Sequence, residues 1–221
     1  MGAANRTLVI ACDVLKNQIE SLGEVHYDFI YLEQGLHRTP KMLAEQLQKT
    51  IDESCGYSVL LLGYGLCSRA VIGLRAAPHQ KMIIPRIDDC IGISMGSRAK
   101  YYREFHQNPG TYYFTRGWIE AAEDPLKEYH RSVDKYGEDT ALWAAWECMK
   151  NYQRTVLIRT SGQVHEPSKQ YVTEFARFFK LQYEEMNGGF DYLKKLLFGP
   201  WDEDFVVIDG DIPADDEMFK D

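Results

Sequence analysis

The stretch "YSVLLLGYGLCSRAVIGL", residues 57–74, decides the fold class. Four consecutive apolar residues, Val59–Leu62, come directly before a turn that contains Gly63 and Gly65 and leads to Cys67. A short apolar run bounded by turn residues is typical of a strand that is buried on both faces. The stretch therefore predicts a buried strand that passes through a tight turn into a helix, with a thiol at the junction. The two glycines are expected to leave room for backbone to approach a ligand or a metal.

The flanking sequence repeats this alternation of strand and helix. Apolar and β-branched runs occur in "TLVIACDV" (7–14), "HYDFIYLE" (26–33) and "KMIIPRI" (81–87), and helix-like segments separate them. Strands joined by helices imply a parallel sheet, because a parallel pair needs a long crossover connection. We predict an α/β fold with a mainly parallel sheet and helices on both faces.

The second half of the chain predicts a smaller unit of the same kind. The aromatic, strand-like segment "PGTYYFTRGWIE" (109–120) precedes a helical region at about 121–151, and strands are predicted again in "RTVLIRT" and "DFVVIDG". We therefore expect two Rossmann-like lobes, at 1–120 and 121–221, with a helical insert at the start of the second.

The insert helix is predicted to be amphipathic. In "ALWAAWECMKNY", the residues Leu142, Trp143, Trp146 and Met149 are spaced so that they cover one side of a helix. Cys148 lies in the same helix, where we expect a small buried residue.

The composition predicts a soluble protein. The formal charge of −8 at pH 7 argues against nucleic acid or an anionic membrane as partner. No apolar stretch approaches the roughly 20 residues that span a bilayer, and the N-terminal sequence lacks the layout of a signal peptide. We expect a cytoplasmic protein that binds a small-molecule ligand.

The cysteines fall into two groups relative to the predicted strands. Cys12, Cys67 and Cys90 each follow a strand, and His37 lies just beyond the end of another. Ligands of parallel α/β sheets bind outside the carboxyl ends of the strands, so these four residues are predicted to share the ligand-binding edge. Cys55 precedes a strand, and we expect it at the opposite edge.

Thiols and an imidazole at one edge suit a metal site. Unpaired N–H groups at helix starts lower the pKa of a nearby thiol and favour the thiolate. Three thiolates and one imidazole complete a tetrahedral zinc site. We predict the metal ligands Cys12, His37, Cys67 and Cys90, with zinc as first choice and iron or corrinoid cobalt as alternatives. The alternative interpretation, in which these cysteines are small buried residues of the core, stays open.

The segment "PRIDDC" supplies candidate catalytic residues. Cys67 and Cys90 are the candidate catalytic thiols, and Asp89 is either a helix cap or a general base beside them. Arg86 is a candidate for binding a substrate carboxylate, or for pairing with the neighbouring aspartates.

Two further segments offer candidates for ligand binding. Tyr113 and Arg116, in the aromatic segment, either line a pocket beside the thiols or belong to the core between the lobes. Ser161, Gly162 and His165, in "TSGQVHEP", follow a strand at a position where a helix start can bind an anion.

Several short blocks resemble a known family. "LGYGLC", "IPRIDDC", "GSRAKYY" and "GTYYFTRGWIE", in this order, together with "LHRTP" and the "AC" after the first strand, resemble a prokaryotic family catalogued as domain of unknown function 1638. The resemblance implies no settled activity. It implies an anaerobic host and an association with corrinoid methyltransferase systems, so that a corrinoid or methyltransferase protein is the expected partner.

Three functions follow from these patterns. The first is a metal-binding α/β protein, as a metalloenzyme or an accessory factor in corrinoid or one-carbon metabolism. The second is a metal-independent thiol enzyme, in which two opposed cysteines transfer a proton on a small carboxylic acid, as in racemases. The third is a non-catalytic binding protein with structural cysteines.

Overall fold

The computed structural model describes residues 6–67, 69–160 and 165–220. Its strands are β1 (Thr7–Cys12), β2 (Asp28–Leu32), β3 (Val59–Gly63), β4 (Lys81–Pro85), β5 (Thr111–Phe114), β6 (Arg154–Arg159), β7 (Gln182–Asn187) and β8 (Phe205–Asp209). Its α-helices are α1 (Lys16–Glu20), α2 (Pro40–Asp52), α3 (Cys90–Met95), α4 (Arg98–Gln107), α5 (Arg116–Ala121), α6 (Pro125–Tyr136), α7 (Glu138–Met149), α8 (Glu166–Phe179) and α9 (Asp191–Phe198). Short 3-10 helices lie at Asp13–Leu15, Gln34–Arg38 and Asp216–Phe219.

The larger sheet has the strand order β2-β1-β3-β4-β8. The first four strands are mutually parallel, and β8 pairs antiparallel with β4. Strands β1, β3 and β4 are almost entirely buried, as their continuous apolar sequences require in a sheet covered on both faces. The predicted α/β fold with a mostly parallel sheet and flanking helices is confirmed.

The smaller sheet has the order β5-β6-β7, with all strands parallel. The two sheets do not divide the chain at residue 120, where the boundary between the lobes was predicted. Strand β5 lies in 1–120 yet belongs to the smaller sheet, and β8 lies in 121–221 yet forms an edge of the larger one. The two segments therefore exchange one strand each.

The two sheets meet along a closely packed seam. The side chain of Trp118 packs against the apolar cores of both. Gly117 lies so close to the 3-10 helix at Asp13–Leu15 that a Cβ atom there would stand 1.9 Å from the carbonyl oxygen of Val14. The buried Gln18 side chain donates to the carbonyl oxygen of Gly189 at 2.8 Å, and Ser94 donates to Gln18. These contacts hold the sheets against each other.

Helix α7 packs on α6 through a different face from the predicted one. Its buried residues are Ala141, Ala145 and Met149. Leu142 and Trp143 are exposed, and Trp143 retains 68% of its accessible surface. The prediction that Cys148 is buried is wrong, because this thiol is exposed. Small alanine side chains allow the two helices to approach closely, so the alanine stripe faces the protein and the bulky residues remain outside.

In the part of the chain that the structure describes, no helix is long and apolar enough to cross a membrane.

Candidate functional site

Three neighbouring strands of the larger sheet deliver three buried thiols to the same edge. Cys12 is the last residue of β1, Cys67 follows β3, and Cys90 is the first residue of α3, directly after β4. All three side chains are buried, with 5% or less of their surface exposed. Because β1, β3 and β4 are parallel neighbours, their carboxyl ends bring these residues together, as the sequence predicts.

Two backbone hydrogen bonds fasten the turn after β3 to the turn after β4. The N–H of Leu66 donates to the carbonyl oxygen of Ile87, and the N–H of Cys67 donates to that of Asp88, both at 2.8 Å. A Cβ atom at Gly65 would lie 2.4 Å from the Ile87 oxygen. The glycine therefore gives room to the backbone of the turn after β4, whereas the sequence suggested room for a ligand or a metal.

The three thiols interact electrostatically and are held protonated. Burial raises the pKa of Cys12 to about 12. Burial also raises the pKa of Cys67, with further contributions from Asp89 and Cys12, and it raises that of Cys90, with contributions from Cys12 and Cys67. Backbone N–H groups oppose these shifts but are outweighed by the loss of water. The expectation of lowered thiol pKa values is therefore wrong for the metal-free fold.

Tyr64 lies among the three thiols and was not singled out by sequence analysis. Its side chain is fully buried, and burial followed by Cys12, Cys67 and Cys90 raises its pKa. Its Oη atom has no hydrogen-bond partner within the described residues. A buried hydroxyl without a partner costs about 1–3 kcal/mol, so this donor is available to a group other than the described residues. The signal in the sequence is a polar-tipped aromatic between two glycines, directly after a buried strand.

His37 stacks on Tyr64, with ring centroids 5.8 Å apart. Its Nδ1 lies 3.0 Å from the carbonyl oxygen of Gln34, which can only accept, so Nδ1 carries the proton. Burial lowers the pKa of the imidazole, which keeps the ring neutral. Nε2 consequently has a free lone pair, the arrangement in which histidine serves as a metal ligand.

Asp13 connects the end of β1 to the segment that carries His37. Its carboxylate accepts a hydrogen bond from the N–H of Gln34 at 3.0 Å and contacts the sulfur of Cys12 at 3.6 Å. Burial raises the pKa of this carboxyl group. The sequence gave no reason to select Asp13 over other acidic residues, because its partner Gln34 lies 21 residues away in the 3-10 helix after β2.

Asp89 caps helix α3 and also faces the thiols. Its carboxylate accepts a hydrogen bond from the N–H of Ile91 at 2.9 Å. Burial raises its pKa, and its charge in turn raises the pKa of Cys67 and Cys90. The prediction that Asp89 caps a helix is confirmed, and its role as a general base beside the thiols stays a prediction.

A family model described as "Protein of unknown function (DUF1638)" matches residues 31–197. The chain belongs to this family. The match includes His37, Cys67 and Cys90, while Cys12 precedes its start. The comparisons with curated proteins and with solved structures found no match.

The turn around Cys67 in this DUF1638 protein has an unusual backbone. Cys67 and Arg69 have φ angles of 45° and 69°, in the left-handed region that non-glycine residues rarely adopt. Each such residue costs about 1–3 kcal/mol and persists only where the surroundings impose it. Arg69 is held by an ion pair with Asp216 at 2.8 Å, so the C-terminal segment supports the turn.

The three candidate substrate-binding residues lie in three different local environments. Arg86 follows β4, where its backbone bonds to Asp204 and Arg98, and its Nε atom is buried without a hydrogen-bond partner in the described chain. Tyr113 lies on β5 in the small cluster between α3, α4 and β6, and Arg116 forms an ion pair with Glu120 at 2.6 Å.

The remaining candidates lie away from the thiols or outside the described chain. Cys55 is exposed and precedes β3, and Cys148 is exposed on α7. Ser161 and Gly162 of the predicted anion site lie outside the described residues, and His165 donates to or accepts from Ser168 at 2.7 Å.

Within residues 6–67, 69–160 and 165–220, no group of three or more His, Cys, Asp and Glu side chains is arranged so that it could hold a metal ion. A cysteine sulfur is separated from the backbone by one rotatable bond with three staggered positions. Coordination by the three thiols would therefore require rotation of their side chains. Their donor chemistry suits a soft or borderline cation.

Proposed function

We propose that this protein binds a thiophilic metal ion, with zinc as first choice, through Cys12, Cys67 and Cys90, and with His37 as the fourth ligand. One observation carries the proposal: three buried thiols from neighbouring strands interact with one another at the carboxyl ends of those strands.

The raised pKa values of the thiols in the metal-free protein favour metal binding over catalysis by the thiols alone. A thiol nucleophile or proton-transfer base needs a lowered pKa, whereas burial raises the pKa of all three thiols. A divalent cation would offset both the desolvation of the thiolates and their mutual repulsion, and binding would release their protons. The metal would then supply a Lewis acid at the sheet edge.

The chain's own residues prepare the surroundings of such a site. The Gln34 carbonyl orients the imidazole of His37 and leaves Nε2 as the donor atom. The hydroxyl of Tyr64, which has no partner among the described residues, is available to donate a hydrogen bond to a thiolate. The fastened turns at Cys67 and Asp88 limit how far the sulfurs can separate. The association with corrinoid methyltransferase systems rests on the family resemblance alone and stays a prediction.

The test is elemental analysis of protein purified without oxygen, together with the matched cysteine variants. We expect the unmodified protein to retain metal, Cys67→Ser and Cys90→Ser to lose it, and the exposed-site controls Cys55→Ser and Cys148→Ser to retain it. A folded, metal-free protein that takes up no added Zn²⁺ under reducing conditions contradicts the proposal.

A triple variant separates metal binding from a purely structural role of the cysteines. Cys12→Ala, Cys67→Ala and Cys90→Ala together remove the proposed ligands but retain small apolar side chains. If the cysteines are only core residues, the apo form of this variant melts below the apo form of the unmodified protein, because three buried sulfur atoms are removed, and added Zn²⁺ raises neither melting temperature. We expect Zn²⁺ to raise only that of the unmodified protein.

A further inference from the structure

The outer face of α7 carries an apolar stripe that the rest of the described chain leaves uncovered. Residues spaced three or four apart share a face of a helix, and the outward set is Asp139, Leu142, Trp143, Trp146 and Lys150. Trp143 and Leu142 expose 68% and 37% of their surfaces. Such a stripe, of one leucine and two tryptophans, is uncommon on a surface that stays in water.

The ends of this stripe carry opposite charges. Asp139 lies in the first turn of α7, and Lys150 is its C-terminal cap residue, where its ammonium group also pairs with Glu147 of the same helix. If a second α7 lies antiparallel on the first, Asp139 of each copy faces Lys150 of the other. The midpoint of the stripe then lies between residues 144 and 145, and Trp143 of one copy faces Trp146 of the other. A two-fold interface requires this kind of self-complementarity.

The shape of the surface fits the same pairing. A groove of about 380 Å³ lies beside the stripe, and its lining includes Trp143, Trp146, Tyr152 and the charged pair Glu147 and Lys150. Trp146 forms the partly buried wall of this groove, packed on Phe179 and covered on one side by the ammonium group of Lys180 at 5.1 Å. Trp143 forms part of the rim of the groove and projects outward from it. In the antiparallel pairing, the projecting Trp143 of each copy meets the groove of the other.

We propose that α7 is a homodimer interface, in which two copies of this chain pair their α7 helices antiparallel around a two-fold axis through the middle of the stripe. Buried tryptophans supply most of the binding energy in such interfaces, and the charged residues at the rim fix the direction of the pairing. The inference is independent of the proposed metal site, because α7 belongs to the smaller sheet's side of the molecule.

The test is sedimentation velocity of the full chain over a range of concentrations. We expect a concentration-dependent dimer, which Trp143→Glu converts to a monomer. The matched control is Met42→Glu, because Met42 is also an exposed apolar residue on a helix surface, with 53% of its surface exposed. The control should dimerise as the unmodified protein does. Circular dichroism melts establish that each variant is folded.

Charge reversal tests the antiparallel direction. Asp139→Lys and Lys150→Asp should each weaken dimerisation at least about tenfold, because each places like charges opposite one another at both ends of the interface. The double variant should restore it. A monomer at all concentrations overturns the proposal and leaves a different protein as the occupant of α7. A dimer that survives Trp143→Glu, or a double variant that stays dissociated while folded, overturns it as well.

Discussion

The backbone N–H of Cys67 donates a hydrogen bond to the carbonyl oxygen of Asp88 at 2.8 Å, and this bond joins the turn after β3 to the turn after β4. Two of the three buried thiols are therefore held beside each other by the main chain. Cys67 and Cys90 therefore stay close to each other whichever rotamers their side chains adopt. The third thiol, Cys12, is brought to them by the parallel pairing of β1 with β3.

The five cysteines should differ strongly in reactivity in the metal-free protein. Cys55 and Cys148 are exposed, whereas burial raises the pKa of the other three thiols. At pH 8 we expect iodoacetamide to modify the exposed pair at least about a hundredfold faster, because only the thiolate reacts. Peptide mass spectrometry gives the rate for each site. In denaturant all five should react alike. Fast modification of Cys67 in the folded protein contradicts the burial of the site.

Gly65→Ala should damage the junction between the two turns. A Cβ atom at Gly65 would meet the Ile87 carbonyl oxygen at 2.4 Å and the Asp89 nitrogen at 3.0 Å, both of which are backbone atoms. We expect a loss of about 1–3 kcal/mol in the free energy of unfolding, measured in urea. Gly56→Ala is the control, because its nearest atom would be a side-chain nitrogen of Arg6 at 4.0 Å. Equal stability of the two variants contradicts the close approach.

The free energy of unfolding of the apo protein should depend on the ionisation of Asp89. Burial raises its pKa in the folded state, so its contribution to stability is full below the unfolded pKa of about 3.9 and is lost as the pH rises through the folded pKa. Asp89→Asn removes the charge and keeps a residue that can cap α3. We expect this variant to gain stability relative to the unmodified apo protein between pH 4 and pH 7.

Asp215→Asn is the control for that measurement. Asp215 caps the last 3-10 helix by accepting a hydrogen bond from the N–H of Glu217 at 2.9 Å, at an exposed position. Its substitution gives the effect of replacing a capping carboxylate at an exposed position. If Asp89→Asn behaves in the same way, Asp89 is not in a desolvated environment.

Among the polar residues packed around the smaller sheet, Asp124 should cost the most stability when it is substituted. Its fully buried carboxylate accepts hydrogen bonds from the N–H groups of Leu126 and Lys127 and from the hydroxyl of Tyr171 at 2.6 Å. Asp124→Ala leaves these donors unpaired, and we expect a loss of about 2–4 kcal/mol in thermal or urea unfolding. Tyr171→Phe removes one bond and should cost about 1 kcal/mol. An Asp124→Ala loss under 1 kcal/mol contradicts the network.

The sequence predicted which edge of the sheet carries the three buried thiols, because that placement depends only on the order of residues within each strand and the turn after it. Continuous apolar runs identify buried parallel strands, and the residue after each such run must lie at the carboxyl edge. This reasoning located Cys12, Cys67 and Cys90 without knowledge of the strand order. The glycine at position 65 was recognised as a place of close approach, but its neighbour proved to be the Ile87 carbonyl and not a ligand.

The features that were missed depend on contacts between distant segments. Strand β8 could have joined either sheet, and its antiparallel pairing with β4 is fixed by partners more than 100 residues away in the sequence. The roles of Asp13 and Tyr64 arise from their position between strands. The buried face of α7 was misassigned because tryptophans suggest burial more strongly than alanines, whereas the packing on α6 selects the smaller side chains.

X-ray absorption of the zinc-loaded, reduced protein tests the central claim most directly. The account predicts a coordination shell dominated by sulfur at about 2.3 Å, with one lighter neighbour from His37. Cys67→Ser should lose sulfur scattering, and Cys55→Ser should leave the spectrum unchanged. A zinc shell of oxygen and nitrogen atoms only, in the unmodified protein, contradicts a metal site made of the three buried thiols.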